Sequence, residues 1–88
     1  MESSEAVRIF AALSDPLRLR ILEAVRERGQ ACGKELSAEL GVSVALLSHH
    51  AKILEDAGLL VRRKEGQFSR FSLNLPLLEE VKRTAPLA

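Results

Sequence analysis

Tryptophan and tyrosine are missing from this 88-residue chain, and its aromatic side chains are three phenylalanines, Phe10, Phe68 and Phe71. A platform that stacks unpaired bases, in single-stranded DNA or in RNA, needs more rings than that. There is one cysteine, Cys32, which excludes an intrachain disulfide and any zinc site built from several thiolates. Long apolar runs are lacking too. Stretches such as Ile9 to Leu13 fall far short of the roughly 20 residues that cross a bilayer. No transmembrane helix and no membrane partner are expected. Glu2 and Glu5 stand where a secretory leader would be basic, so the expected location is cytoplasmic. Neither sign of charge dominates, since 13 basic and 12 acidic side chains leave a net +1. A partner must therefore be read from where the charges sit.

What is present fits one domain spanning residues 1–88. With 47% hydrophobic and 28% charged residues, the chain can build a single core and is too short for a two-domain enzyme. A core of this size stabilises by only about 3 to 5 kcal/mol. With disulfides and thiolate clusters excluded, association with a second chain is the remaining support. No glycine-rich phosphate loop or nucleophile elbow occurs, and the adjacent pair Glu79 and Glu80 marks no pocket. An enzyme is not expected, nor is a cofactor.

Ser3 or Ser4 is placed to cap a first helix whose apolar positions Val7, Phe10, Ala11 and Leu13 recur at roughly helical spacing. Ser14-Asp15-Pro16 ends it and starts the next, because Asp15 can accept from free N–H groups and Pro16 suits the first helical position. Leu17, Ile21, Leu22 and Val25 then form a buried stripe ahead of Gly29. Gln30-Ala31-Cys32 is either a connector or a brief strand. Lys34 to Leu40 forms a short third helix with Leu36 and Leu40 inward, stopped by Gly41. Ser43 caps a fourth that runs to Ala57. After Gly58 the period changes: Leu59–Glu65 and Phe68–Leu73, separated by Gly66-Gln67, read as a β-hairpin. Pro76 opens a last helix with Leu77, Leu78 and Val81 apolar, and the tail Ala85–Ala88 is expected to fray. The predicted fold is mainly α with a small β-hairpin.

Residues 34–57 spell a helix-turn-helix. Packed helix pairs that never meet DNA share that pattern, so its neighbours decide. On the fourth helix Leu47, Ala51 and Leu54 line the inward face, while Ala45, Ser48, His49 and Lys52 share a small, polar, positively biased one. Serine and histidine can bond to base edges, Lys52 can reach a phosphate or guanine, and Ala45 permits close approach. The hairpin at 59–73 sets Arg62, Arg63, Lys64 and Arg70 against Glu65, a basic wing beside the helix. Glu55 and Asp56, near the helix end, are expected to point away from phosphate. The plain alternative is a solvated helix face. Arg18 either positions DNA or a neighbouring helix, or is solvated with its stem on the core.

The ordered series A-L-S-D-P-L-R-L-R-I-L (Ala12 to Leu22), E-L with the turn G-V-S, L-S-H-H-A-K-I-L-E-D-A-G-L-L (Leu47 to Leu60) and R-R-K-E-G-Q-F-S-R-F-S-L (Arg62 to Leu73) resembles the ArsR family of winged-helix repressors. The likeness covers about residues 5 to 82. It implies a homodimer, paired through helices at 1–13 and 76–84, that binds a double-stranded operator and is released by an effector. It also implies that the helix from Ser43 reads the major groove and that the hairpin tip from Glu65 to Arg70 touches the flanking backbone.

Two departures bear on function. Relatives often carry glutamine and threonine at the positions of Val44 and Leu46, which are apolar here. Base reading then leans on Ser48 and His49, with Val44 left for a thymine methyl. Metal-sensing relatives place Cys-x-Cys at the start of the third helix, or carboxylate and histidine ligands on the last. Here Cys32-Gly33-Lys34 offers one thiol and the last helix no histidine, so no metal site is expected. His49 and His50 diverge by about 100° on a helix and cannot chelate one ion. His50 is expected to pack in the interior or to bond a backbone carbonyl. Cys32 is either a small side chain at a helix entry or a redox sensor through a disulfide across the dimer. The reading is a DNA-binding transcription regulator, with no effector named. Its alternatives are a thiol-responsive repressor and a winged-helix module for protein association.

Overall fold

The computed structural model describes residues 1–84, so the tail at 85–88 lies outside the described residues. Its elements are α1 (Ser3–Leu13), α2 (Pro16–Arg28), β1 (Ala31–Cys32), α3 (Gly33–Leu40), α4 (Val44–Asp56), β2 (Leu60–Glu65), β3 (Phe68–Leu73) and α5 (Leu75–Thr84). The strands make one antiparallel sheet in the order β1-β3-β2. The architecture is a winged helix-turn-helix. No described helix is long and apolar enough to cross a membrane.

Local chemistry sets most boundaries. The Asp15 carboxylate accepts from the Arg18 N–H at 3.1 Å and Pro16 follows it, so α2 starts where both signals coincide. Asn74 begins α5: its side-chain oxygen accepts from the Leu77 N–H at 3.3 Å. Its amide also donates to the Gly58 carbonyl at 2.8 Å, tying the end of α4 to the start of α5. The last helix thus opens at Leu75, one residue before the proline.

The first helix departs from expectation. Neither serine caps it, because the helix begins one residue earlier: Glu2 is the cap residue and its carbonyl accepts from Ala6 at 2.9 Å. The buried residues are Ile9 and Ala12, while Val7 is 69% exposed and Ala11 lies outward. Apolar residues surround this helix on several sides, so periodicity alone could not choose the face that packs on α2 and α4. Ile9 joins Ile21, Val25, Leu36, Leu47, Leu54 and Leu59 in one fully buried core.

Candidate nucleic-acid interface

The turn between α3 and α4 is built by three local devices. Gly41 caps α3 at φ +69°, a conformation that side-chain-bearing residues rarely adopt. Val42 donates its N–H to the Ser37 carbonyl at 3.0 Å. The Ser43 hydroxyl accepts from the Leu46 N–H at 3.0 Å and starts α4. Leu47, Ala51 and Leu54 then bury inward. That anchoring leaves Ala45, Ser48, His49 and Lys52 exposed on the outer face, with Val44 and Leu46 exposed on the first turn.

His50 is packed inward, its side chain 15% exposed, as one of its two expected placements had it, and it bonds a side chain in place of a backbone carbonyl. Its Nδ1 lies 3.0 Å from an Arg18 guanidinium nitrogen and 3.9 Å from the Asp15 carboxylate. Since the guanidinium has no acceptor, Nδ1 accepts and the ring proton sits on Nε2. Arg18 also donates to the carbonyls of Ala12 at 2.6 Å and Ala11 at 3.3 Å. It therefore takes the helix-positioning role, joining α1, α2 and α4. The Arg18 N–H bond holds the Asp15 carboxyl below its ordinary range, and the charge of the Arg18 guanidinium adds to the effect.

The hairpin register places Arg63 opposite Arg70 and Arg62 opposite Phe71. Strand alternation therefore puts Arg62 and Lys64 on the face that turns Phe71 into the core, and Arg63, Glu65 and Arg70 on the other. Glu65 accepts from Arg63 at 2.6 Å and from Arg70 at 3.1 Å. Those two bonds hold its carboxyl below the ordinary glutamate value. On the inner face the Arg62 guanidinium meets Glu55 at 3.2 Å, and on α4 the Lys52 ammonium meets Asp56 at 3.0 Å. Glu55 and Asp56, expected to point away from phosphate, each pair with a side chain expected to meet it. Lys64, also assigned, is exposed on β2.

Between α4 and the wing lies a cleft of about 370 Å³, lined by Val44, Ser48, Glu55, Arg62 and Phe68, with half-buried Cys32 at its border. Among the described residues no three His, Cys, Asp or Glu side chains are grouped to hold a metal. The Glu65 fork had a signal in the sequence, because a two-residue turn at Gly66-Gln67 fixes which residues share a face. The Glu55–Arg62 and Arg18–His50 pairs had none, since each joins elements brought together only by packing.

Residues 15–61 match the family model described as "Bacterial regulatory protein, arsR family". The chain is similar to an HTH-type transcriptional regulator of Methanocaldococcus jannaschii, 41% identical over 70 residues covering 78% of this chain and 79% of the relative. It is also similar to the transcriptional repressor SdpR of Bacillus subtilis, 32% identical over 82% of this chain and 79% of that one. Among solved structures, an ArsR-like transcriptional regulator from Rhodococcus sp. RHA1 superposes with a TM-score of 0.81 at 31% identity, covering 92% of this chain and 76% of that one.

Proposed function

Because the chain belongs to the ArsR family of DNA-binding transcription regulators, which are not enzymes, we propose that it acts as a homodimeric, cytoplasmic repressor. In this reading residues 1–88 form one DNA-binding unit: 34–57 the helix-turn-helix, 59–73 the wing, 1–13 and 76–84 the dimer helices. Val44, Ala45, Ser48 and His49 face base edges, and Lys52 reaches a phosphate or guanine. Ser43 starts that helix at the groove. Arg62, Arg63, Lys64 and Arg70 meet phosphate.

The observation that carries this is the exposure of the small polar face of α4 beside an exposed basic hairpin, while the same helix is anchored by three core residues. Val44, Leu46, Val61 and Phe68 are also exposed on these two elements, but they are interspersed with Ser48, His49 and the basic side chains, where a protein-association module would present a contiguous apolar face. Dimer pairing is supported by Val7 on α1 and Leu75 on α5, 69% and 62% exposed, apolar side chains for which one copy has no cover. The similarity to SdpR, a transcriptional repressor, supports that direction of control. No family-type metal site is proposed, since Cys32 is the single thiol and α5 has no histidine.

One set of titrations tests the reading. His49→Ala should weaken operator binding by about 1 to 3 kcal/mol and scarcely affect a scrambled duplex. Arg70→Ala should weaken both duplexes. It should also reduce the log affinity against log salt slope by about 1 per subunit, hence about 2 for two bound copies. Equal losses on both duplexes for His49→Ala, or an unchanged slope for Arg70→Ala, would remove the basis for the assignment. A thiol-responsive alternative is favoured only by the place of Cys32 at the border of the cleft. Oxidant-triggered release that disappears in Cys32→Ser would establish it, and oxidant-insensitive binding rejects it.

A further inference from the structure

We infer that Glu55, Asp56 and Glu65 are internal competitors for the DNA backbone, a brake that lowers the protein's affinity for any duplex. The inference rests on the wing and α4 meeting phosphate as proposed above. Lys52, Arg62, Arg63, Lys64 and Arg70 are the basic side chains of α4 and the hairpin. Four of these five already hold a carboxylate: Lys52 by Asp56, Arg62 by Glu55, and both Arg63 and Arg70 by Glu65. Three carboxylates thus offset three of the five positive charges that should draw phosphate.

Glu65 shows the competition most directly. Two guanidiniums from opposite strands, at directly paired positions of the hairpin, converge on one carboxylate. A phosphate offers oxygens of the same kind to the same donors. For a phosphate to enter, Glu65 must swing aside or stay as a like charge beside it. The side chain is 42% exposed, and exposed ion pairs are weak, so the exchange is open to it. Asp56 stands in the same relation to Lys52, with both side chains largely exposed. Glu55 differs in being only 18% exposed and in bridging α4 to β2, so it also fixes the wing against the helix.

Non-specific binding consists almost wholly of phosphate contacts, whereas operator binding adds base contacts from α4. A brake acting on phosphate leaves the base contribution untouched. Its consequence is that phosphate contacts alone hold the protein weakly, and stable residence requires Ser48 and His49 to find their bases.

The experiment measures Glu65→Gln and Asp56→Asn, both exposed and away from the core, against operator and scrambled duplexes over a salt series. Each variant should bind both duplexes about 2- to 5-fold more tightly per subunit. Each should also steepen the salt slope by about 1 per subunit. Unfolding midpoints check that the fold is unchanged. Weaker binding by Glu65→Gln would mean that the carboxylate orients the arginines for DNA, and unchanged binding by both variants that the acids leave the interface unopposed. Either result overturns the brake. Arg70→Ala separates this from the underlying assignment: if it weakens both duplexes while the acid variants gain nothing, only the brake fails.

Discussion

Helix α4 sends Leu47, Ala51 and Leu54 into the core at 1% exposure or less, whereas past Leu60 every residue of β2 is exposed. Both elements face DNA in the proposed complex, yet different forces position them. The helix is placed by apolar burial, which responds little to ionic strength. The wing is placed by its strand ladder, by Phe71 beneath it and by surface ion pairs that salt screens within about 10 Å at 0.1 M. In that proposed complex one element would supply a fixed reading surface and the other an adjustable electrostatic grip. The same division separates two kinds of mutational effect, on folding and on affinity.

The largest effect expected from the comparison is on the helix. Leu54→Ala empties a fully buried site and should destabilise the fold by about 2 to 5 kcal/mol, measured by urea unfolding. That is comparable with the whole stability of a domain this size. A loss below about 1 kcal/mol would show that α4 is held by something other than its buried stripe.

A smaller effect concerns acid. The folded Asp15 carboxyl titrates below its ordinary value of 3.8 because it accepts from the Arg18 N–H. Its stabilisation is present above the unfolded value and is lost as pH falls through the lower folded one. Asparagine caps a helix without that titration. The decline in unfolding midpoint between pH 5 and pH 2.5 should therefore be shallower in Asp15→Asn than in the parent. An identical acid limb in both would place the titrating group elsewhere.

The smallest effect marks the other side of the comparison. Lys64→Ala, on the exposed strand, should change stability by no more than about 0.5 kcal/mol while weakening DNA binding at low salt. A larger loss of stability would mean that the wing contributes to the fold as the helix does, and the contrast between them would collapse.

Most of the architecture was legible because its boundaries are written in local chemistry: Asp15-Pro16, Gly41, Ser43 and the two-residue turn at Gly66-Gln67. The packing face of α1 was not, because Val7 and Ile9 are equally apolar and only the surface of α2 and α4 distinguishes them. The outer face of α4 could be read from the spacing of Leu47, Ala51 and Leu54. Its electrostatic state could not. Whether Lys52 and Arg62 stand free or paired depends on Asp56 and Glu55, and on how closely the hairpin folds back against the helix.

Arg18 makes one guanidinium a common hinge pin. Its bonds to the Ala11 and Ala12 carbonyls and to His50 Nδ1 connect the end of α1 with the middle of α4. Turning α1 about its axis would strain these bonds, so in the proposed dimer paired through α1 the arginine would tie the angle between the two copies to the position of α4.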